Sequence, residues 1–147
     1  MSAFNYEEMT NAIRVYIEAQ LGASNDLPIF YTNAPQLDAD AAETDPKAYL
    51  AIHILHGTAN QADMGSGNDR WRRPGVIQVS IFTELGKGDG RANRIADLFV
   101  TMMRGKTITV AAGDIVLNAT NPKPGGVEGS YWRVDVDSSF YSDDFDT

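Results

Sequence analysis

The sequence predicts one α+β domain in which two main helices pack on a mostly antiparallel or mixed sheet, in the order α-β-β-β-α-β-β-β. The chain has 147 residues, which suit one domain and not two. Apolar residues make up 43% of it and charged residues 22%, as in globular proteins that fold alone. Two segments repeat apolar residues at helical spacing, and the other apolar segments alternate as strands do.

The first helix is predicted from about residue 6 to Gly22. Asn5 and Glu8 resemble a capping box at its start. Because its apolar stripe is one-sided, we expect the helix to lie on the sheet with Arg14 and Glu18 toward water. The stripe recurs every four residues and consists of Met9, Ile13, Ile17 and Leu21.

The second helix is predicted after a glycine-spaced corner. It should end at Arg104 and Gly105, which form a basic last turn and a C-cap. Its apolar stripe consists of Ala92, Ile95, Leu98, Phe99 and Met102.

The glycine-spaced corner, residues 86–91, also has the elements of a phosphate-binding loop, because a strand, closely spaced glycines and the start of a helix follow one another there. Its glycines lack the P-loop spacing, and Arg91 stands where the dinucleotide fingerprint needs its last glycine. Asp89 would place a carboxylate where a phosphate binds, whereas a carboxylate at a helix start is a standard N-cap. We therefore interpret the corner as a structural turn and helix cap. The alternative is a small nucleotide-binding protein that uses this loop, whose residues of interest are Gly86, Gly88, Asp89 and Gly90.

The predicted strands are short runs rich in β-branched and aromatic residues, bounded by Gly, Pro and Asn. Residues 48–55 and 70–84 should form a long hairpin with a flexible tip. The segment 121–130 contains two prolines and three glycines, and we predict an irregular loop there. The last strand, 131–141, should place Trp132, Val134 and Val136 on one side and Arg133, Asp135 and Asp137 on the other. The remaining predicted strands are 27–33, 106–112 and 114–119.

Charge and composition exclude several function classes. The net charge is −8 with a pI near 4.6, which disfavours direct binding to nucleic acid. Without cysteine, the chain has no disulfides, zinc-thiolate sites or thiol nucleophiles. No apolar run approaches the roughly 18 residues of a membrane span, and no signal peptide pattern begins the sequence. We expect one domain over 1–147, located in the cytoplasm, with a flexible acidic C-terminal end from about 141.

Catalytic and metal-binding chemistry is not predicted. His53 and His56 fall in a predicted strand, where residues three apart point to opposite faces and cannot share a metal ion. Nucleophilic triads lack both a credible base and an activated nucleophile. We therefore expect no enzyme, no cofactor and no metal.

The segment DRWRRP is a basic cluster in an acidic protein. Trp and Arg are enriched at interface hot spots, so Trp71, Arg72 and Arg73 are candidates for a subunit interface. A basic patch facing acidic surfaces of other copies would give head-to-tail contacts, which close into rings or grow into filaments. The alternative is an ordinary hairpin in which Trp71 folds onto the sheet. Our hypothesis is that part of the segment Gly57–Pro74 contacts a neighbouring subunit.

The layout as a whole resembles a known family. An amphipathic first helix is followed by FYTNAP, the strand AYLAIHIL, the run RRPGVIQVSIFTELGKGDGRANRIADLF, a helix ending in MMRGKTI, and YWRVDVDSSFYSD. This pattern resembles the tail-terminator or tail-completion proteins of long-tailed bacteriophages, including the lambda-like type. The resemblance extends over nearly the whole chain and is most specific from Gly75 to Phe99.

The resemblance implies a structural virion protein and not an enzyme. Such proteins form a ring, typically a hexamer, that caps the tail tube, ends its polymerisation and offers a surface for head attachment. The implied partners are copies of the chain itself, the tail tube protein and a head-tail connector protein. DNA would pass through the lumen without specific binding. The implied location is the virion tail or neck, and the host cytoplasm during assembly. The alternative in the same class is another neck or head-completion component.

Overall fold

The computed structural model describes residues 6–21, 28–31, 48–61, 70–86, 90–110, 113–129 and 131–145. Within these ranges the chain forms two helices and seven strands. The helices are α1 (Tyr6–Leu21) and α2 (Gly90–Met103). The strands are β1 (Ile29–Tyr31), β2 (Tyr49–His56), β3 (Asn60–Gln61), β4 (Arg70–Glu84), β5 (Thr107–Val110), β6 (Gly113–Glu128) and β7 (Tyr131–Phe145).

The described strands form one sheet in the order β1-β2-β4-β7-β6-β5, and the short β3 pairs with β4. The β1 and β2 strands are parallel, and the other pairs of the described sheet are antiparallel. The predicted α+β class, with a mixed sheet and two helices, is therefore confirmed. The predicted hairpin is confirmed too, because Tyr49 pairs with Phe82 and His56 with Gly75. Its tip, residues 62–69, lies outside the described residues.

The α1 helix packs as its stripe predicts, since Met9, Ile13 and Ile17 are fully buried. The environment of Arg14 differs from the prediction, which placed this side chain toward water. It is half-buried, with its guanidinium carbon 4.6 Å from the ring centroid of Tyr31, because β1 lies beside the helix and offers an aromatic face. Glu18 is exposed as predicted and accepts a 2.9 Å hydrogen bond from the Tyr31 hydroxyl.

The α2 helix buries a stripe that is rotated relative to the predicted one, because Ala96 and Met103 are buried in it and Leu98 is not. Leu98 is 46% exposed, so its assignment to the core is wrong. One residue of an α-helix turns about 100°, and the stripe is centred on Phe99, which leaves Leu98 at its edge. Gly105 has a φ of +66° and follows the helix as a C-cap, and the Lys106 amide donates to the Met103 carbonyl at 3.2 Å. The buried residues are Ala92, Ala96, Phe99, Met102 and Met103.

One face of the sheet packs against the helices. No helix of the described residues covers the other face, which we call the helix-free face. Ile52, Val79 and Val136 lie side by side across three strands and are buried on the helix side. Alternate residues face the other way, as predicted for β7. On the helix-free face, Arg133 Nε donates to Asp135 at 2.8 Å and Lys123 Nζ lies 2.8 Å from Asp137. The sheet therefore has an apolar side and a side crossed by ion pairs.

The predicted loop at 121–130 is wrong, because β6 continues to Glu128 with two register irregularities. The β5 strand pairs with β6 only up to Val116, so the later part of β6 is an edge of the described sheet. Pro122 and Pro124 lie on this part of β6, where they are paired with Val136 and Val134 of β7. A proline without an N–H group is tolerated at such an edge.

The β7 strand also runs further than predicted, to Phe145 instead of Tyr141. Residues 141–145 pair with residues 70–74 of β4. That this acidic end is flexible in solution stays a prediction.

Candidate interaction surface

The basic cluster lies at the end of the sheet where β4 pairs with the last residues of β7. Arg72 is paired with Asp143, and Pro74 with Tyr141. Because alternate strand residues point to opposite faces, Trp71 and Arg73 belong to the helix side and Arg72 to the helix-free face. The three residues that the sequence grouped as one interface are thus divided between two faces of the sheet.

On the helix side, this end is tied to the start of α1. The guanidinium carbon of Arg73 lies 5.3 Å from the ring centroid of Tyr6. The Tyr6 ring packs in turn on His56, with centroids 4.8 Å apart. Trp71 is half-buried on the same side of the sheet. These side chains hold α1 on the sheet end.

On the helix-free face, Arg72 is held rigidly by its own chain. Its Nε and one terminal nitrogen donate to the two carboxylate oxygens of Asp143 at 2.9 and 3.2 Å. Its guanidinium carbon also lies 4.0 Å from the ring centroid of Tyr141. The hydrogen bonds to Asp143 raise the pKa of Arg72 above its usual value. Arg72 therefore presents a neutralised, flat surface.

Exposed apolar side chains lie further along the same face of the sheet. Leu55 is 55% exposed and is paired with Val76, which is 37% exposed. We call Leu55, Arg72, Pro74, Val76 and Tyr141 the end patch. Arginine and tyrosine are enriched at interface hot spots, and exposed apolar side chains on the same face are a feature of interaction sites. Sequence reasoning missed Leu55 and Val76, although their alternation with the partly buried Ile54 and the buried Ile77 was a usable signal.

The glycine corner is described only in part. Gly86 has a φ of +88°, a backbone conformation that favours glycine, and Gly90 is the first residue of α2. Gly88 and Asp89 lie outside the described residues, so the helix cap stays a prediction for them.

The two histidines occupy opposite faces of β2. His56 lies on the helix side, where its Nε2 is 3.0 Å from the Thr10 hydroxyl, and His53 lies on the helix-free face. Among the described side chains, no group of three or more metal-ligating residues comes together. None of the described helices is long and apolar enough to cross a membrane.

Comparison with protein families shows which family the chain belongs to. Its sequence matches the family described as "Phage tail terminator protein" over residues 8–140, from the first turn of α1 to Phe140 of β7. The chain belongs to the phage tail terminator family. This membership confirms the family resemblance of the sequence and makes the protein a structural component of a phage tail, and so of the virion.

The terminator fold recurs in a solved structure, although the sequences are distant. That structure superposes with a TM-score of 0.64 at 15% identity, over 90% of this chain and 94% of the other. At this identity the likeness shows the fold alone. No curated protein matches the terminator sequence.

Proposed function

We propose that copies of this chain form a closed ring, typically a hexamer, that caps the tail tube and ends its polymerisation. The ring would then offer a surface to the head-tail connector, and it acts without enzymatic chemistry. The observation that carries this proposal is the terminator family match over residues 8–140. The net charge of −8 supports the same role, because DNA passing through an acidic lumen gains no counterion-release affinity.

The end patch is our candidate for one side of the subunit contact. It includes Pro74 of the segment Gly57–Pro74, where the sequence predicted such a contact. Because Arg72 is already neutralised by Asp143, we expect aliphatic and aromatic burial to dominate this contact. The contact would join unlike surfaces of neighbouring copies, which is the arrangement that closes into rings.

Substitution of exposed apolar residues of the end patch tests this subunit contact most directly. Exchanging Leu55 and Val76 for Lys should dissociate the ring, because two charges would replace the buried aliphatic groups. Val127→Lys is the matched control, since Val127 is 63% exposed at the opposite end of the sheet. Light scattering gives the mass, and negative-stain images show the ring. A Leu55→Lys/Val76→Lys protein that keeps its ring would exclude this surface.

The substitution experiment for Arg72 and Arg73 is designed differently, because both side chains have partners within the chain. Their exchange for Glu should also dissociate the ring, and an unchanged ring would count against the interface. Adding Asp143→Arg to Arg72→Glu restores an in-chain ion pair. If this swapped pair restores the ring, then Arg72 acts by orienting the end patch and not through a charge on the neighbour.

Partner binding separates this function from that of another neck or head-completion component. A terminator ring should co-sediment with purified tail tubes and prevent their further growth. Co-sedimentation with tailless heads alone would assign the chain to the head side instead.

A further inference from the structure

The two helices expose stripes of equal spacing on their outward faces. Both stripes contain four exposed residues separated by three, four and three positions, which places them along one side of a helix. The acidic stripe of α1 consists of Glu8, Asn11, Val15 and Glu18. The basic stripe of α2 consists of Arg91, Arg94, Leu98 and Thr101.

Each stripe has an exposed aliphatic residue at its third position. Val15 is 66% exposed and Leu98 is 46% exposed. The two helices of one chain contact each other through another side of α1, where the Tyr16 hydroxyl donates to the Met102 carbonyl at 2.6 Å.

The two stripes are complementary when laid side by side in parallel. With Leu98 on Val15, Arg91 falls opposite Glu8, because each precedes its aliphatic residue by seven positions, or about 10 Å of helix. The Arg94 guanidinium then reaches the side-chain carbonyl of Asn11, and the Thr101 hydroxyl can donate to Glu18. One register thus satisfies charge, hydrogen bonding and apolar burial together.

We propose that the basic stripe of one copy docks on the acidic stripe of a second copy. This inference rests on the proposed ring and names a helix contact within it. The two stripes are different surfaces, so the contact can repeat from copy to copy. Duplex DNA is the less suitable occupant of the basic stripe, because the whole chain carries a charge of −8 and Leu98 needs an apolar counterpart.

Disulfide cross-linking tests the register directly, because the chain contains no cysteine. Val15→Cys protein and Leu98→Cys protein are mixed under mild oxidation. We expect dimers that contain one copy of each, at about tenfold higher yield than from either variant alone. Both positions are exposed, so the substitutions should leave the fold intact, which thermal unfolding checks. Equal yields from the variants alone, or no cross-linked dimers at all, would overturn the proposal.

Charge reversal tests the pairing independently. Arg91→Glu in the Leu98→Cys chain should lower the cross-linking yield about tenfold, and Glu8→Arg in the Val15→Cys chain should restore it. Lys106→Glu is the matched control, because Lys106 is exposed just beyond α2 and outside the stripe. A loss without restoration by Glu8→Arg would contradict the assigned register.

The possible failures are distinguishable. If rings form but the cysteines of Val15→Cys and Leu98→Cys do not cross-link, this helix contact is wrong and the proposed function stands. If neither rings nor cross-links form, even with tail tubes present, both proposals fail. If Arg91→Glu/Arg94→Glu weakens retention of duplex DNA while cross-linking is unchanged, the basic stripe binds nucleic acid and the docking proposal is wrong.

Discussion

At the scale of single residues, close packing between strands leaves no room for a residue larger than glycine at Gly75. A β-carbon there would lie 2.3 Å from Phe140 Cζ and 2.6 Å from the Leu55 carbonyl oxygen. The carbonyl belongs to the β2 backbone and cannot rotate away. We expect Gly75→Ala to lower the free energy of unfolding by about 1–3 kcal/mol, as overpacking does. Urea denaturation measures this change. Gly90→Ala is the control and should leave stability nearly unchanged, because among the described residues a β-carbon there would meet the Arg94 side chain alone, at 3.8 Å.

His56 gives the protein a pH-dependent stability. Burial disfavours its charged form and lowers its pKa below the usual value. The unfolded chain therefore binds more protons than the folded chain between the two pKa values. This contribution to stability is complete above the unfolded pKa of about 6.5 and is lost as the pH falls through the folded pKa.

Denaturation between pH 7.5 and about pH 5 tests this prediction. His56→Gln should flatten the pH dependence relative to the unmodified protein, while His53→Gln on the helix-free face controls for the loss of a histidine. An equally steep dependence in the His56→Gln protein would refute the assignment.

At the scale of elements, the later part of β6 is an edge of the described sheet, and its prolines disfavour further strand pairing there. Pro122 and Pro124 lack the N–H groups that a docking strand would need as donors. We expect Pro122→Thr/Pro124→Thr to associate at concentrations where the unmodified protein does not, without loss of folding stability. Sedimentation velocity over a concentration series measures this. Asn121→Thr on the same strand is the control and should leave association unchanged.

Much of the fold could be predicted from the sequence, and the predictions that failed did so for physical reasons. Alternation placed the β2 and β4 strands and the two faces of β7, because one apolar face forces a period of two. The extension of β6 was missed because proline argues against an interior strand, and sequence alone does not show that a strand is an edge. Leu98 was misplaced because an apolar residue at the margin of a helical stripe can point either way.

The candidate interaction surface was predicted less completely. That Trp71, Arg72 and Arg73 belong to a subunit interface stays a prediction, and alternation alone would have divided these residues between two faces of the sheet. The pairing of Arg72 with Asp143 joins residues 71 positions apart in sequence, which no local pattern reveals.

At the scale of the whole molecule, the glycine corner should not bind nucleotides. Arg91 fills the place of the glycine that dinucleotide binding requires, so we expect no rise in melting temperature with ATP, NAD or Mg²⁺. A specific ligand at 100 times its dissociation constant would add about 2.7 kcal/mol, which a thermal shift panel detects readily. Such a rise for any nucleotide would revive the nucleotide-binding alternative and weaken the case for a purely structural protein.

The β4 and β7 strands are paired over fifteen consecutive positions, from Arg70 with Phe145 to Glu84 with Tyr131. At roughly 3.3 Å per residue this ladder is about 50 Å long. A mechanical pull along it loads the bonds of the ladder in shear, so they resist together and do not open one by one. Tension applied at one end of the sheet is thereby transmitted to the other end with little stretching of the subunit.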